Sequence, residues 1–130
     1  MTVRLNELRN AVDRLREALQ APETSLNRDA AIQRFEFCFE LAWRAIQEIA
    51  REEGMDCSSP KGCLKLAFKT NWIVGEGSWL AMLNDRNLTV HTYGEALAKE
   101  VYSRLPEYLP LFEQLLASLG KVSPGGNLLS

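Results

Sequence analysis

The stretch Asn27–Glu53, NRDAAIQRFEFCFELAWRAIQEIAREE, decides the fold, because its apolar side chains recur with the period of an α-helix. One apolar stripe consists of Phe35, Phe39, Ala42, Trp43, Ile46 and Ile49, and a second of Phe37, Cys38, Leu41 and Ala45. Between residues 35 and 46 the predicted helix is therefore apolar nearly all round. Such a helix is covered on more than one side, either by the rest of a single bundle or by a second subunit.

The helix that precedes this stretch is predicted over about residues 2–20, and Pro22 ends it. The central helix itself is expected to begin at Asn27, because asparagine is a good N-cap residue. It should run to about Glu53, after which Gly54 can adopt the left-handed conformation that commonly follows a helix. Both long helices are thus bounded by residues whose local chemistry stops a helix.

Three more helices follow: a short one over 60–69, a fourth from about Ser78, and a last one from 93–95 to about Leu119. Ser59 followed by Pro60 marks the start of the short helix, because serine caps it and proline suits its first position. Pro106 and Pro110 should kink or split the last helix, since each removes a backbone donor.

Five helices with short links predict an all-α fold, because no stretch alternates with period two. We expect an antiparallel four-helix up-and-down bundle with one added short helix. The helical domain is predicted over 1–119, and residues 120–130, which contain Pro124, Gly125 and Gly126, are expected to form a flexible tail. The all-round apolar central helix also leads us to expect a homodimer.

The charge balance restricts the partners of this chain. Its 130 residues suffice for one domain and carry 15 basic against 17 acidic side chains, a formal net charge of −2. Broad, non-specific coating of nucleic acid needs an extended basic surface, which this composition argues against. The composition still allows a nucleic-acid substrate that is held in a local pocket. Candidate contacts for it, whose positions in the fold the sequence does not give, are Arg44, Arg51, Lys99 and Arg104.

The cysteines and the N-terminus predict the compartment. The chain has three cysteines, Cys38, Cys57 and Cys63, so not all of them can pair with one another. Because the sequence has no CxxC motif and a single histidine, no zinc site is predicted. We expect reduced thiols in a cytoplasmic protein. The charged N-terminus has no signal-peptide core, and no apolar run approaches the roughly 20 residues of a membrane span, so no membrane partner is expected.

Residues 85–93, DRNLTVHTY, form the most informative stretch for function, because they are polar between patterned helices and hold the one histidine. In an unbroken helix, which turns by about 100° per residue, Arg86 and Tyr93 share a face while His91 points well away from Arg86. For Arg86 and His91 to act together, the helix must break between them or a second subunit must supply one of them.

The pattern Thr92-x-x-Glu95 fits a capping box and predicts a helix start beside His91. A histidine at a helix start lies near the positive end of the helix dipole, which favours the neutral imidazole that a general base needs. The alternative is that His91 is a structural hydrogen-bonding group and that Arg86 forms an ordinary ion pair with the adjacent Asp85.

Other polar and aromatic residues are interpreted structurally. Glu36 and Glu40 lie one turn apart, but the Glu-x-x-His pattern of di-metal bundles is missing, so no metal or cofactor is expected. Glu40 and Arg44, at i and i+4, are read as an ion pair. The tryptophans are read as core or interface aromatics rather than base-stacking platforms: Trp43, Trp72 and Trp79.

Arg86 and His91 match the Arg-x4-His motif of HEPN-type ribonucleases, Asn87 is the polar residue that often follows the arginine, and Tyr93 completes the longer form seen in HepT toxins. Most of residues 3–119 resembles the branch of this group known as nucleotidyltransferase substrate-binding proteins. The matching segments are RFEF (34–37), FELAW (39–43), SP (59–60), WLAML (79–83), DRNLT (85–89) and Y-x-PLF (108–112).

This resemblance implies a homodimer of antiparallel helices whose cognate partner is a separate minimal nucleotidyltransferase, the two forming a hetero-oligomer. HepT-like toxins cut RNA without a metal, and the partner silences them by adding AMP to the motif tyrosine. Carried over, Arg86 would hold the scissile phosphate, His91 would move the proton, and Asn87 would orient the histidine or the phosphate. Tyr93 would be the AMPylation target, where a bulky anion repels the RNA backbone.

Two other functions are compatible with the same residues. In the first, the chain is a non-catalytic subunit that presents a substrate to the nucleotidyltransferase, and Arg86 and His91 only bind a phosphate. In the second, the chain is a purely structural bundle, which leaves the polar stretch between two patterned helices without a reason.

Overall fold

The computed structural model describes residues 2–92 and 94–122, and in these residues five helices and no strand are found. The helices are α1 (Thr2–Gln20), α2 (Ser25–Glu52), α3 (Pro60–Lys69), α4 (Glu76–His91) and α5 (Glu95–Val122). Helices α1, α2 and α5 pack against one another, and α4 lies against α2, α3 and α5. Four long helices and one short helix confirm the predicted all-α bundle.

The start of α2 differs from the prediction. The Thr24 side chain, in extended backbone, accepts a hydrogen bond from the backbone N–H of Asn27 at 3.0 Å, so Thr24 is the N-cap and Asn27 lies in the first turn. The prediction at the other end is confirmed, because Gly54 adopts a φ of 82° directly after the helix. At the start of α2, threonine and asparagine are both good N-cap residues, and the extended backbone at Thr24 decides that Thr24 is the cap.

Helix α3 begins as predicted, with the Ser59 side chain accepting from the N–H of Gly62 and Pro60 in the first position. Helix α4 begins two residues before the predicted Ser78, at Glu76, because Gly75 takes a left-handed conformation that redirects the chain.

Helix α5 is not split at its prolines, so of the two predicted effects, a kink or a split, the split is wrong. It continues through Pro106 and Pro110 as one helix to Val122 and so extends three residues beyond the predicted Leu119. The buried side chains of Leu105, Tyr108 and Phe112 alternate with the two prolines, and their packing stabilises the helix where backbone hydrogen bonds are lost. Residues 123–130 of the predicted tail lie outside the described residues.

The core is built around α2. Phe35 packs on the rings of Tyr108 and Phe112 at centroid distances of 5.6 and 6.4 Å, and Trp79 meets Phe112 edge-on at 5.7 Å. The three tryptophans are buried, as predicted: Trp43, Trp72 and Trp79.

The single chain covers almost all of the central apolar stretch, so this stretch by itself does not require a second subunit. Within residues 35–46, Cys38, Leu41 and Ala45 of the second stripe are buried, and of the apolar side chains only Phe37 is exposed. The bundle interpretation of the all-round apolar helix therefore holds.

The cysteine prediction was wrong for two of the three residues. Cys57 and Cys63 form a disulfide, with their α-carbons 5.1 Å apart, whereas Cys38 is a buried free thiol. The chain turns back at Ser59–Pro60 into α3, and this turn brings together two cysteines six residues apart. Burial raises the pKa of the Cys38 thiol to about 12.

Candidate functional site

Arg86 is held on the side of α4 that faces α2. Its Nη2 donates a hydrogen bond to Glu40 Oε1 at 2.7 Å, and its Nη1 donates to the side-chain oxygen of Asn87 at 2.9 Å. The guanidinium carbon also lies 5.5 Å from the centroid of the Phe39 ring. The side chain is 22% exposed, so the cation is oriented by α2 and still reaches the surface.

Glu40 connects three donors at this point. Besides Arg86, it accepts hydrogen bonds from Arg44 Nε at 2.8 Å and from Trp43 Nε1 at 3.2 Å. The first of these confirms the predicted Glu40–Arg44 ion pair. Burial by itself would raise the pKa of the Glu40 carboxyl, but hydrogen bonds from Arg44, Trp43 and Arg86 outweigh it and hold that pKa below its ordinary value.

The contact between Glu40 and Arg86 was not predicted from the sequence, because the two residues are 46 positions apart. The sequence did contain a weaker indication that Glu40 needs a partner. Glu40 lies between the apolar Phe39 and Trp43 on α2, at the border of the buried face, where a carboxylate needs a partner from a neighbouring helix.

His91 is the last residue of α4 and is exposed, whereas the helix is unbroken between Arg86 and His91. Five residues along an α-helix correspond to about 140° around its axis, so one chain does not bring the two groups to one face. Asn87 lies one turn before His91 on the same exposed face. Arg86, bonded to Asn87, is thus at the edge of the surface that carries the histidine.

The predicted capping box is wrong. The Thr92 N–H donates to Leu88 O at 2.8 Å and ends α4, while the N–H of Ala98 donates to Gly94 O at 2.9 Å and makes Gly94 the N-cap of α5. His91 therefore lies at the negative end of a helix dipole rather than at a positive helix start, and the dipole argument for a neutral imidazole does not hold. Tyr93, the predicted modification target, lies outside the described residues.

Asp85 is not paired with Arg86. Its buried carboxylate accepts two hydrogen bonds from Arg104, both at 2.8 Å, and one from the Tyr108 hydroxyl at 2.5 Å. Burial, together with the bond to Asp85, raises the pKa of the Tyr108 phenol. Arg104, one of the sequence candidates for RNA contact, is therefore engaged within the fold, and Asp85 positions α4 against α5.

Among residues 2–92 and 94–122, no three side chains of His, Cys, Asp and Glu gather where they could hold a metal ion. In the same part of the chain, no helix is both long and apolar enough to cross a membrane. The polar groups that do gather on α2 and α4 are cations around a carboxylate, an arrangement suited to binding an anion.

Comparison with known proteins gives one family match and one curated relative. The family model for nucleotidyltransferase substrate-binding-like proteins matches residues 3–121. The probable ribonuclease HepT of Haemophilus influenzae is 29% identical over 84 residues, which cover 61% of this chain. The match spans 58% of the length of that relative.

Solved structures of other proteins share the fold. One from Thermus thermophilus is 42% identical, with a TM-score of 0.80, and the match covers 86% of this chain and 98% of the other. A second, from Haemophilus influenzae, reveals the fold of a substrate-binding domain of a nucleotidyltransferase. It is 24% identical, with a TM-score of 0.75, and the match covers 88% of this chain and 98% of the other.

Proposed function

Because the chain belongs to the family of nucleotidyltransferase substrate-binding proteins, we propose that it is the toxin of a two-component pair, an endoribonuclease that acts without a metal. The observation that carries the proposal is the linked arrangement on α4. Arg86 is oriented by Glu40 and bonded to Asn87, and His91 lies one turn after Asn87 on the exposed face that these two residues, but not Arg86, share. The name of the relative from Haemophilus influenzae, a probable ribonuclease, supports the same reaction.

In this proposal Arg86 binds the scissile phosphate. The bonds to Glu40 and Asn87 use two of the five N–H groups of a guanidinium, so donors remain for phosphate oxygens. They would stabilise the negative charge that develops on those oxygens as the ribose 2′-hydroxyl attacks phosphorus. His91 takes the proton of the 2′-hydroxyl, or protonates the leaving 5′-oxygen.

The proposed active assembly is a homodimer, because one α4 does not present Arg86 and His91 on one side. A second copy packed through the same face of α4 would bring its His91 toward Arg86 across a twofold axis. The exposed apolar side chains of Leu88 and Val90, 39% and 55% accessible, flank His91 on this helix and supply contact area for such packing.

The proposed regulator is a minimal nucleotidyltransferase that transfers AMP to Tyr93. The phenol oxygen would form a bond to the α-phosphorus of ATP, the α–β anhydride would break, pyrophosphate would leave and the phenol proton would pass to solvent. Tyr93 is two residues from His91 in the chain. A phosphate ester there adds negative charge beside the site and repels the RNA backbone.

The test compares His91→Ala with Ser78→Ala, which changes an exposed residue at the other end of α4 and on a different side of the helix. The purified wild-type protein and the Ser78→Ala control should cut RNA in the presence of EDTA, and His91→Ala should not. Expression without the partner should arrest growth for the wild type and Ser78→Ala only. A wild-type protein that cuts no RNA and is harmless when expressed alone would refute the proposal.

A second function is favoured by one observation. Arg86 is already neutralised in part by Glu40 at 2.7 Å, as in a site that only binds a phosphate. The chain would then present a substrate to the nucleotidyltransferase, as the name of the second solved relative suggests for that protein. Incubation with the partner and labelled ATP separates the two functions, since label on Tyr93 supports the toxin and label on a third molecule supports the presenting subunit.

A further inference from the structure

We propose that Arg44 and Arg86 form a two-guanidinium clamp across α2 and α4, in which Arg44 binds the RNA phosphate next to the one held by Arg86. The inference rests on the proposed RNA substrate and adds a binding residue from a second helix.

The clamp is organised by one carboxylate. Arg86 donates to Glu40 Oε1 at 2.7 Å and Arg44 donates to Glu40 Oε2 at 2.8 Å, so the two guanidinium groups flank the same group from different helices. Two cations around one anion leave a local excess of one positive charge. Each guanidinium gives one N–H to Glu40 and keeps others free, so each can bind one of two neighbouring phosphates of an RNA strand.

Arg44 is held in place by the aromatic ring beside it. Its guanidinium carbon lies 4.6 Å from the centroid of the Trp43 ring, and Trp43 Nε1 donates to Glu40 at 3.2 Å. Trp43 is buried, whereas the Arg44 side chain is 46% exposed. The guanidinium of Arg44 is therefore oriented by Trp43 on one side and open to solvent on the other. It loses less conformational freedom on binding a phosphate than an unrestrained arginine would.

The clamp also explains how an acidic chain can hold RNA. The formal net charge is −2, and Glu36 and Glu48 lie one turn before Glu40 and one turn after Arg44 on α2. The clamp is thus bordered on α2 by carboxylates, and α2 offers no long basic track there. Binding by two adjacent phosphate contacts needs only such a local site.

The test measures the salt dependence of binding to single-stranded RNA whose 2′-hydroxyls are all replaced by methoxy groups, so that no cleavage occurs. The logarithmic slope of affinity against salt falls by about 0.7 for each phosphate contact that is lost. Arg44→Gln should lower the slope by that amount and weaken binding several-fold, while Arg44→Lys should retain it. Arg9→Gln, which removes the same charge from an exposed position on α1, is the matched control.

A merely structural role of Arg44 would change the thermal unfolding temperature without changing the salt slope. Arg44→Met, which keeps an apolar stem over Trp43, provides a second neutral variant if Arg44→Gln folds poorly.

The outcomes separate the clamp from the nuclease. A lower slope in the neutral Arg44 variants, with Arg9→Gln unchanged, supports the clamp. An unchanged slope in those variants overturns the clamp and leaves the nuclease to be judged by cleavage alone. If the neutral Arg44 variants lower the slope but the wild-type protein cuts no natural RNA, the clamp is supported and the nuclease is refuted. A wild-type protein that does not bind the RNA refutes both.

Discussion

The Asp85 carboxylate is paired with Arg104 on α5 through two hydrogen bonds of 2.8 Å, and not with Arg86, its neighbour in sequence. Consecutive residues of a helix point in different directions, so Asp85 enters the α4–α5 interface while Arg86 turns toward α2. The Tyr108 hydroxyl completes the carboxylate's partners. The arginine of the proposed site is therefore free of its adjacent acid because α5 provides another cation.

Changing Asp85 should destabilise the fold. Asp85→Asn removes the buried anion of Arg104, which then keeps Glu100 at 3.6 Å. The change should cost about 3 kcal/mol, the lower end for breaking a buried pair, because the Arg104 side chain is 34% exposed. Tyr108→Phe removes one hydrogen bond to a charged acceptor and should cost about 2 kcal/mol. Urea unfolding at pH 7 measures both, and Asn84→Ala, an exposed neighbour, should stay within about 0.5 kcal/mol. Equal values for Asp85→Asn and Asn84→Ala would contradict the pairing.

Two phenylalanines should differ greatly in how much stability is lost when they are truncated. Phe112 is fully buried against Phe35 and Trp79, so Phe112→Ala should lower the free energy of unfolding by about 3–5 kcal/mol. Phe37 is 58% exposed, and Phe37→Ala should change it by less than about 0.5 kcal/mol. Chemical denaturation at equal protein concentration compares them. A large loss in Phe37→Ala that depends on protein concentration would instead place Phe37 in an interface.

Glu40 should contribute to stability in a pH-dependent way. Its pKa is lowered in the folded chain, so its contribution is present above the unfolded pKa, about 4.3, and is lost as the pH falls through the folded value. Wild type should exceed Glu40→Gln in stability at pH 7, and the difference should shrink below about pH 4. Urea midpoints from pH 7 to pH 3 test this. Glu36→Gln, one turn earlier on α2, is the charge-matched control, and a constant wild-type advantage over Glu40→Gln at every pH would argue against the ion pairs.

Thiol titration should distinguish the three cysteines. Cys38 is buried and its pKa is raised to about 12, so the native protein should react very slowly with a thiol reagent at pH 8. In denaturant without reductant one thiol per chain should react, because Cys57 and Cys63 are joined, and three should react after reduction. Three reactive thiols in the unreduced, denatured protein would show that the disulfide does not form.

The sequence alone was enough for the helices and for most of their ends. Helical periodicity, Ser59–Pro60 and Gly54 depend on interactions within a few residues, and these interactions are the same in any fold. The continuous α5 departs from this rule, because the local effect of Pro106 and Pro110 is outweighed by the packing of side chains such as Tyr108 and Phe112 on α2.

The partners of charged groups were decided only by the tertiary structure. Arg86, Asn87 and His91 were predicted as site residues from their spacing, but Glu40 as the partner of Arg86 and Arg104 as the partner of Asp85 come from other helices. Spacing within one helix says which side chains share a face, whereas the pairing of buried or half-buried charges depends on how helices are placed against each other. The amino-acid pattern thus determined that five helices form and where the polar motif lies, and the packing of α2, α4 and α5 determined which cations remain available to bind a phosphate.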